Sequence, residues 1–363
     1  MLNALALTVF LLPGLCWWVW LGERGKDPLE ALADILGVSA AITALGALFF
    51  YALRLPVSAA LLGALLGLTL ILTGYGIHQK RNERMFSGAW LPALAFFGAL
   101  CFWRLWQAKG LALPAWVDSL HHSLIIRKMV EAGGLTSTLE PYLPGPFYYH
   151  YAVHSAAALV SAISGTPPAE TLLWLGQIIS AGVSLSTYSL VKASTKDWRP
   201  AALAALLAAF ATKMPGYYLS WGRYTLLSGM FLLPLAMAEA VRLANGEKTR
   251  RSAPLLAVLT AGTLLSHYLA AVLLALFLLV LALTLLARNI RRKSGNWQPL
   301  LALTGSALVG LGLVSRWYWR VFRYAWGVVG TEIRLPASAA LSADDWAYFW
   351  NLGPLTGYIV LGL

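Results

Sequence analysis

The chain is written as long apolar runs separated by short polar connectors. Runs of about 18 residues or more match the length that crosses ~30 Å of hydrocarbon. They predict spans over residues 4–21, 31–53, 56–77 and 89–108. A polar interval, 109–149, follows, and then further spans over 169–191, 200–219, 225–243, 254–287 and 299–314. The run 254–287 suffices for two crossings and is read as a hairpin of two short spans turning at Ser266-His267-Tyr268. Residues 151–164 are few, start among histidines and are rich in Ala and Ser. They are read as a re-entrant or interfacial helix packed on protein, which membrane proteins tolerate beside a cavity, with a short true span as the alternative. The first run lacks a leading basic stretch and is taken as a span rather than a cleaved signal.

This pattern predicts an all-α, polytopic transmembrane helical bundle. N-terminal spans occupy 1–88, and a transmembrane core occupies 89–345 with a large outer loop over 109–149. Residues 346–363 are expected to begin a further span that is cut short, because 355–363 is apolar but too brief to cross alone. The aromatic stretch 316–326, RWYWRVFRYAW, reads as an interfacial belt with arginines snorkelling between rings.

Composition agrees. Hydrophobic residues make up 59% of the chain, charged residues 12%, and mean hydropathy is +0.68, against roughly 25% charged residues in soluble domains. The net charge of +12 resides in short connectors: Lys80, Arg81 and Arg84; Lys248, Arg250 and Arg251; Arg288, Arg291, Arg292 and Lys293. Such loops mark the cytoplasmic side and favour anionic membrane lipid, and without a basic soluble module nucleic acid is excluded as a partner. Cys16 and Cys101 both lie in apolar runs and form no disulfide framework or metal knuckle.

Against that apolar background, residues 116–158 hold four of the six histidines together with Asp118 and Glu140. Ionisable residues kept between spans are functional candidates by default. Asp118 and Ser119 are placed to cap a helix running to about Glu131 and ended by Gly133-Gly134. On it Asp118, His121, His122, Ile125 and Met129 share a face, and a carboxylate held there can serve as a general base. The bland alternative is a capped amphipathic surface helix with solvated histidines. His150 and His154 are spaced i, i+4 as in zinc helices, but Tyr151 stands where the glutamate base of that motif belongs. Hydrogen bonds to a phosphate or sugar, or to each other, are the simpler use.

Glu140 precedes Pro141-Tyr142-Leu143-Pro144-Gly145-Pro146, a rigid shaped loop, and Tyr149 beside it offers a flat face to a sugar or to the membrane interface. Arg223, near Lys213, Tyr217 and Tyr218, suits a lipid-linked phosphate, with ordinary snorkelling as the alternative. His267 sits at the tip of the expected hairpin. With the cytoplasmic assignments above, the Asp118 loop, Ser220–Arg223 and Ser266–Tyr268 fall on one side of the membrane.

The runs D-S-L-H-H (118–122), PYLPGPFYYHYAVH (141–154), S-W-G-R-Y (220–224) and L-S-H-Y (265–268) together resemble the GT-C superfamily of integral membrane glycosyltransferases. That superfamily includes protein mannosyltransferases and aminoarabinose transferases, and the likeness covers roughly 89–287. The resemblance implies a GT-C-like core, a polyprenyl-phosphate sugar donor and transfer on the extracytoplasmic face of the cell membrane. Asp118 takes the place of the catalytic carboxylate that engages the acceptor, and Arg223 that of a donor-phosphate contact. His121, His122, Glu140, Tyr149, His150, His154 and His267 complete the expected substrate-binding set. Ser119 and His121 stand where relatives often carry a second acidic residue, so no cofactor is assigned, although the site leaves room for a divalent cation. A transporter or lipid flippase with a His/Asp polar pathway is the competing class. A membrane metalloenzyme and a non-catalytic assembly subunit are two more.

Overall fold

The computed structural model describes residues 4–23, 26–81, 87–247, 249–292 and 295–332. Helix α1 (Ala4–Leu21) packs on α2 (Pro28–Ala52), whose start is fixed by Asp27. The Asp27 carboxylate accepts the Leu29 N–H at 2.9 Å, and Pro28 fills the first helical position, where no donor is needed. Ser58 opens α3 (Ala59–Gln79) in the same manner through the Leu61 N–H. Leu68, Leu70 and Ile71 of α3 are more than half exposed, as a helix facing hydrocarbon requires. Then follow α4 (Trp90–Ala108) and α5 (Asp118–Ala132). The two-residue strand β1 (Thr138–Leu139) pairs antiparallel with β2 (Leu143–Pro146), so the Pro-rich loop adds a small hairpin to an otherwise helical chain.

The second half runs through α6 (Ala152–Ser164), α7 (Pro168–Thr195), α8 (Trp198–Leu206), α9 (Gly216–Ser220), α10 (Tyr224–Ala244), α11 (Thr249–Ser266), α12 (Tyr268–Arg292) and α13 (Gln298–Glu332). Helices α7, α10 and α11 form the centre with α2, where Leu227, Leu232, Leu235 and Leu259 are fully buried or nearly so. Among the described residues five helices are long and apolar enough to cross a membrane: Pro28–Ala52, Ala59–Gln79, Tyr224–Ala244, Tyr268–Arg291 and Gln298–Tyr324. One compact unit extends from Met1 to Trp317. A second unit begins at Tyr318, and within it the Trp319 and Phe322 rings stack 6.0 Å apart.

The run 254–287 breaks at His267 as the pattern predicts. Ser266 meets Ser228 and Ala270 packs on Gly229, so α11 reaches one end of α10 and α12 returns along it. Its arms are full-length helices of 18 and 25 residues rather than short spans. Helix α6 is 13 residues long, about 20 Å. Its first turn is tied to that same end by the Tyr151 N–H to Leu265 carbonyl bond at 3.1 Å, and α7 begins three residues after its cap. It therefore stays at one end of the bundle.

Three expectations are corrected. Residues 200–219 are not one span: α8 passes into a π-helical turn, Leu207–Ala211, and stops at Thr212. The break comes before Pro215, which lacks a donor and disfavours helix in the residue ahead of it. Trp317 does not sit at an interface but is buried against Phe147 and Tyr151 at ring distances of 6.0 and 4.7 Å, and residues 316–326 continue α13. Asp118 does not cap α5, because the helix starts on Val117 with no side-chain cap bond. Its far end is as expected, with Gly133 in the left-handed region at φ 63°. Residues 346–363 lie outside the described residues.

At the end of the bundle away from α5, charges are buried together. Arg242 bridges Glu30 and Glu239, Lys26 contacts Asp34 and, at 3.3 Å, Glu239, and Lys192 binds Asp27. Removing one partner of such a set strands a buried charge and costs about 3–5 kcal/mol. Arg242→Met is therefore expected to lower the thermal unfolding temperature in detergent sharply. Arg242→Met/Glu30→Gln/Glu239→Gln, which removes the stranded carboxylates as well, should recover most of the loss.

Candidate functional site

Helix α5 lies across the other end of the bundle, and its inward stripe is Ser119, His122, Ile125, Ile126 and Met129, all buried. Leu120 and Val117 on the outer side are more than 60% exposed, so the helix carries an apolar outer edge as well as its buried inward stripe. Its C-terminus is pinned to the α2–α3 connector, where the Val57 N–H donates to the Gly133 carbonyl at 2.7 Å.

The N-terminal turn of α5 meets the turn between α9 and α10. Gly222 has φ 65°, and a Cβ there would stand 3.0 Å from the Ser119 hydroxyl and 3.3 Å from the Asp118 Cβ. Both facts demand glycine. The approach lets His122 Nε2–H donate to the Gly222 carbonyl at 3.0 Å, which leaves Nδ1 to accept from His154 Nε2 at 2.9 Å. One residue on, Arg223 Nη1 contacts Asp118 Oδ2 at 2.9 Å and its guanidinium lies over the Trp221 ring. Tyr224 closes the corner, its hydroxyl bonded to Ser119 and its ring edge-on to His122.

A cavity of about 430 Å³ opens beside this corner, between α5 and the β1–β2 hairpin. Asp118, His121, His122, Tyr149 and Arg223 line it, with Tyr148 and Ile125. Asp118 and Arg223 are each roughly 40% exposed at the side chain, so they face the cavity with room for an incoming group. The Tyr149 ring packs 3.8 Å from that of His150.

Four of the expected site residues stand elsewhere. Glu140 is exposed in the turn that links β1 to β2 and lines no part of the cavity, while Tyr142, two residues on, packs under Arg127 of α5 at 5.5 Å. His150 lies behind Tyr149, its Nε2 hydrogen-bonded to Thr225 at 2.9 Å and its buried Nδ1 without a partner. His267 packs against it at a ring distance of 4.5 Å, and its own Nδ1 accepts the Leu269 N–H at 3.1 Å, capping α12. His154 is fully buried under His122. The histidines thus form a supporting layer beneath the cavity. Among the described residues no group of three or more His, Cys, Asp or Glu is arranged to hold a metal.

Burial pushes His122 down to about 4, against the opposing effects of the Gly222 bond and the Asp118 charge, and His150 down to about 2. Both rings are neutral at physiological pH and act through fixed hydrogen bonds. Gly222 and Tyr224 stood in the quoted S-W-G-R-Y run without a role of their own, and Thr225 escaped the sequence reading; its one signal is adjacency to that run.

A family described as "Family of unknown function (DUF6541)" matches residues 7–355 of the chain. No curated protein and no solved structure matches it.

Two outcomes follow from this geometry. Gly222→Ala should cost more stability than Gly246→Ala, a positive-φ glycine at 75° with open space around it. Strain alone costs each variant roughly 1 kcal/mol, and only the first also pushes on α5; equal losses in detergent unfolding would show that the close approach is slack. As pH falls below about 6.5 the unfolded chain protonates its histidines first. His122 in the fold resists down to about 4, so stability declines through that window by up to about 1.4 kcal/mol per pH unit. The fall in unfolding temperature from pH 7.5 to 5.5 should shrink in His122→Gln.

Proposed function

Because the chain belongs to the Family of unknown function (DUF6541), its chemistry has to come from the cavity, and we propose that it is a membrane glycosyltransferase. In this reading it moves a sugar from a polyprenyl-phosphate donor to an acceptor on the extracytoplasmic face. The observation that carries the reading is the half-exposed Asp118–Arg223 pair at the floor of a cavity between an amphipathic helix and a tyrosine-bearing hairpin. Lys80, Arg81, Lys192, Arg199, Arg250 and Arg251 cluster near the opposite end of the bundle. By the positive-inside rule this supports a cavity on the extracytoplasmic side.

The pair divides the work of a substitution at the anomeric carbon. A half-exposed ion pair is worth about 0–1 kcal/mol, so a phosphate that takes up Arg223 in bidentate fashion can release the carboxylate. Asp118 then accepts the proton of the acceptor hydroxyl as its oxygen bonds to the anomeric carbon. The bond from that carbon to the phosphate oxygen breaks, and the leaving phosphate keeps the electron pair beside Arg223. His121 adds a donor at the rim, and the Tyr148 and Tyr149 rings offer flat faces to the sugar. A transport pathway would need polar groups from one end of the bundle to the other. Leu232, Leu235 and Leu259 interrupt such a path along α10 and α11, whereas α7 carries buried Gln177, Ser180, Ser184 and Ser189 between the two ends, so the preference for transfer rests on the open Asp118–Arg223 pair.

With purified protein in vesicles and a polyprenyl-phosphate sugar, Asp118→Asn should reduce transfer by about 10²–10⁴ at normal expression and unfolding temperature. Unchanged transfer removes Asp118 from the chemistry.

A further inference from the structure

On the other side of α9 from Asp118, a second cavity of about 430 Å³ lies between α4, α7 and the π-helical turn. Its lining has a one-sided charge. Arg104 on the last turns of α4 and Lys213 before α9 both face it, and no acidic residue lines it. Arg104 is only 7% exposed. Its Nη2 donates to the Ala209 carbonyl at 2.9 Å and its Nη1 to Gln107 at 3.3 Å. Both acceptors are neutral, and among the described residues no carboxylate pairs with either cation. A guanidinium buried without a counter-charge is expensive, yet the surrounding backbone is built to admit it. A Cβ on Gly216 would stand 2.5 Å from Arg104 Nη1, and the carbonyl that binds Nη2 belongs to the π-helical turn, a local irregularity that recurs at functional sites.

Lys213 is held in place by the Tyr217 ring, 4.2 Å beneath its ammonium. The outer wall is apolar and open: Trp103 and Phe210 meet edge-on at 5.9 Å, and each is more than 40% exposed. A cationic floor with an apolar, outward-facing wall fits a ligand with an anionic head and a hydrocarbon tail. We infer that this groove binds the phosphate headgroup of a membrane amphiphile, with Arg104 and Lys213 on the phosphate and the chain leaving past Trp103 and Phe210.

The site is separate from the Asp118 cavity and does not rest on glycosyl transfer. It shares α9 with it: Gly216 touches Arg104, and the same short helix ends at the turn that presents Arg223. An occupied groove therefore steadies the element that carries Arg223.

Titration of the purified full-length protein in neutral detergent with dodecyl phosphate tests the assignment, with inorganic phosphate and a neutral dodecyl glycoside as parallel arms. Saturable dodecyl phosphate binding is expected, weakened about 10- to 100-fold in Arg104→Gln and also weakened in Lys213→Gln, an exposed position that leaves the core intact. Arg223→Gln should leave the Arg104- and Lys213-dependent binding in place, which separates this result from the transferase reading, where lipid phosphate binds at Arg223. Gly216→Ala should weaken binding by displacing the guanidinium. Equal affinity for inorganic phosphate would make the groove a soluble-anion site and overturn the lipid assignment. Binding of dodecyl phosphate unchanged by Lys213→Gln and by a folded Arg104→Gln would overturn the site itself.

Discussion

The functional end of the molecule depends on one close contact, that of the first turn of α5 with Gly222. Without a side chain at 222, the α5 backbone comes near enough for His122 to reach the Gly222 carbonyl and for Asp118 to meet Arg223. Each bond would be modest by itself. A neutral buried hydrogen bond contributes about 1 kcal/mol, and the exposed ion pair contributes less. Their value is positional: His122 is locked from both sides, through Gly222 and His154, and so the carboxylate one turn earlier is held at the edge of the cavity. The layer of neutral imidazoles beneath it, kept unprotonated by burial, supplies a rigid floor that carries no competing positive charge.

The two ends of the bundle use charge in opposite ways. At the end bearing Lys26, Glu30, Glu239 and Arg242, cations and carboxylates pair with one another inside protein. At the α5 end the Asp118–Arg223 pair is open to the cavity, and Arg104 is met only by neutral acceptors. Low dielectric makes the first arrangement structural and leaves the second receptive to an anion. Apolar side chains of α2, α10 and α11 separate the two, so each keeps its own electrostatic surroundings.

Much of this was legible in the chain. Apolar run lengths located the five helices that, among the described residues, are long and apolar enough to cross a membrane, the polar break at 266–268 marked the α11–α12 turn, and Gly133 marked the end of α5. Of the expected site, Asp118, His121, His122, Tyr149 and Arg223 do come to one cavity. Residue type and local spacing indicated that these residues were out of place in hydrocarbon, which is a property the sequence carries. They could not rank the histidines by depth. His122 and His154 looked equivalent to His121, yet two are buried in mutual hydrogen bonds and one faces the cavity. Glu140 was expected among the substrate-binding residues, but it stands exposed in the turn between β1 and β2.

The sequence by itself determined that the chain is a helical membrane bundle with polar residues gathered in a few connectors, because span length and hydropathy are local properties of the bilayer as solvent. Only the tertiary structure decided which connectors touch. The separations from 118 to 223 and from 104 to 209 are bridged by helix packing and by two glycines that permit close approach. Nothing in the local pattern of Arg104, one cation in an apolar helix, distinguishes a snorkelling side chain from a buried one. That difference is made by the π-helical turn and Gly216 of segments a hundred residues away, which enclose the guanidinium without giving it a negative charge.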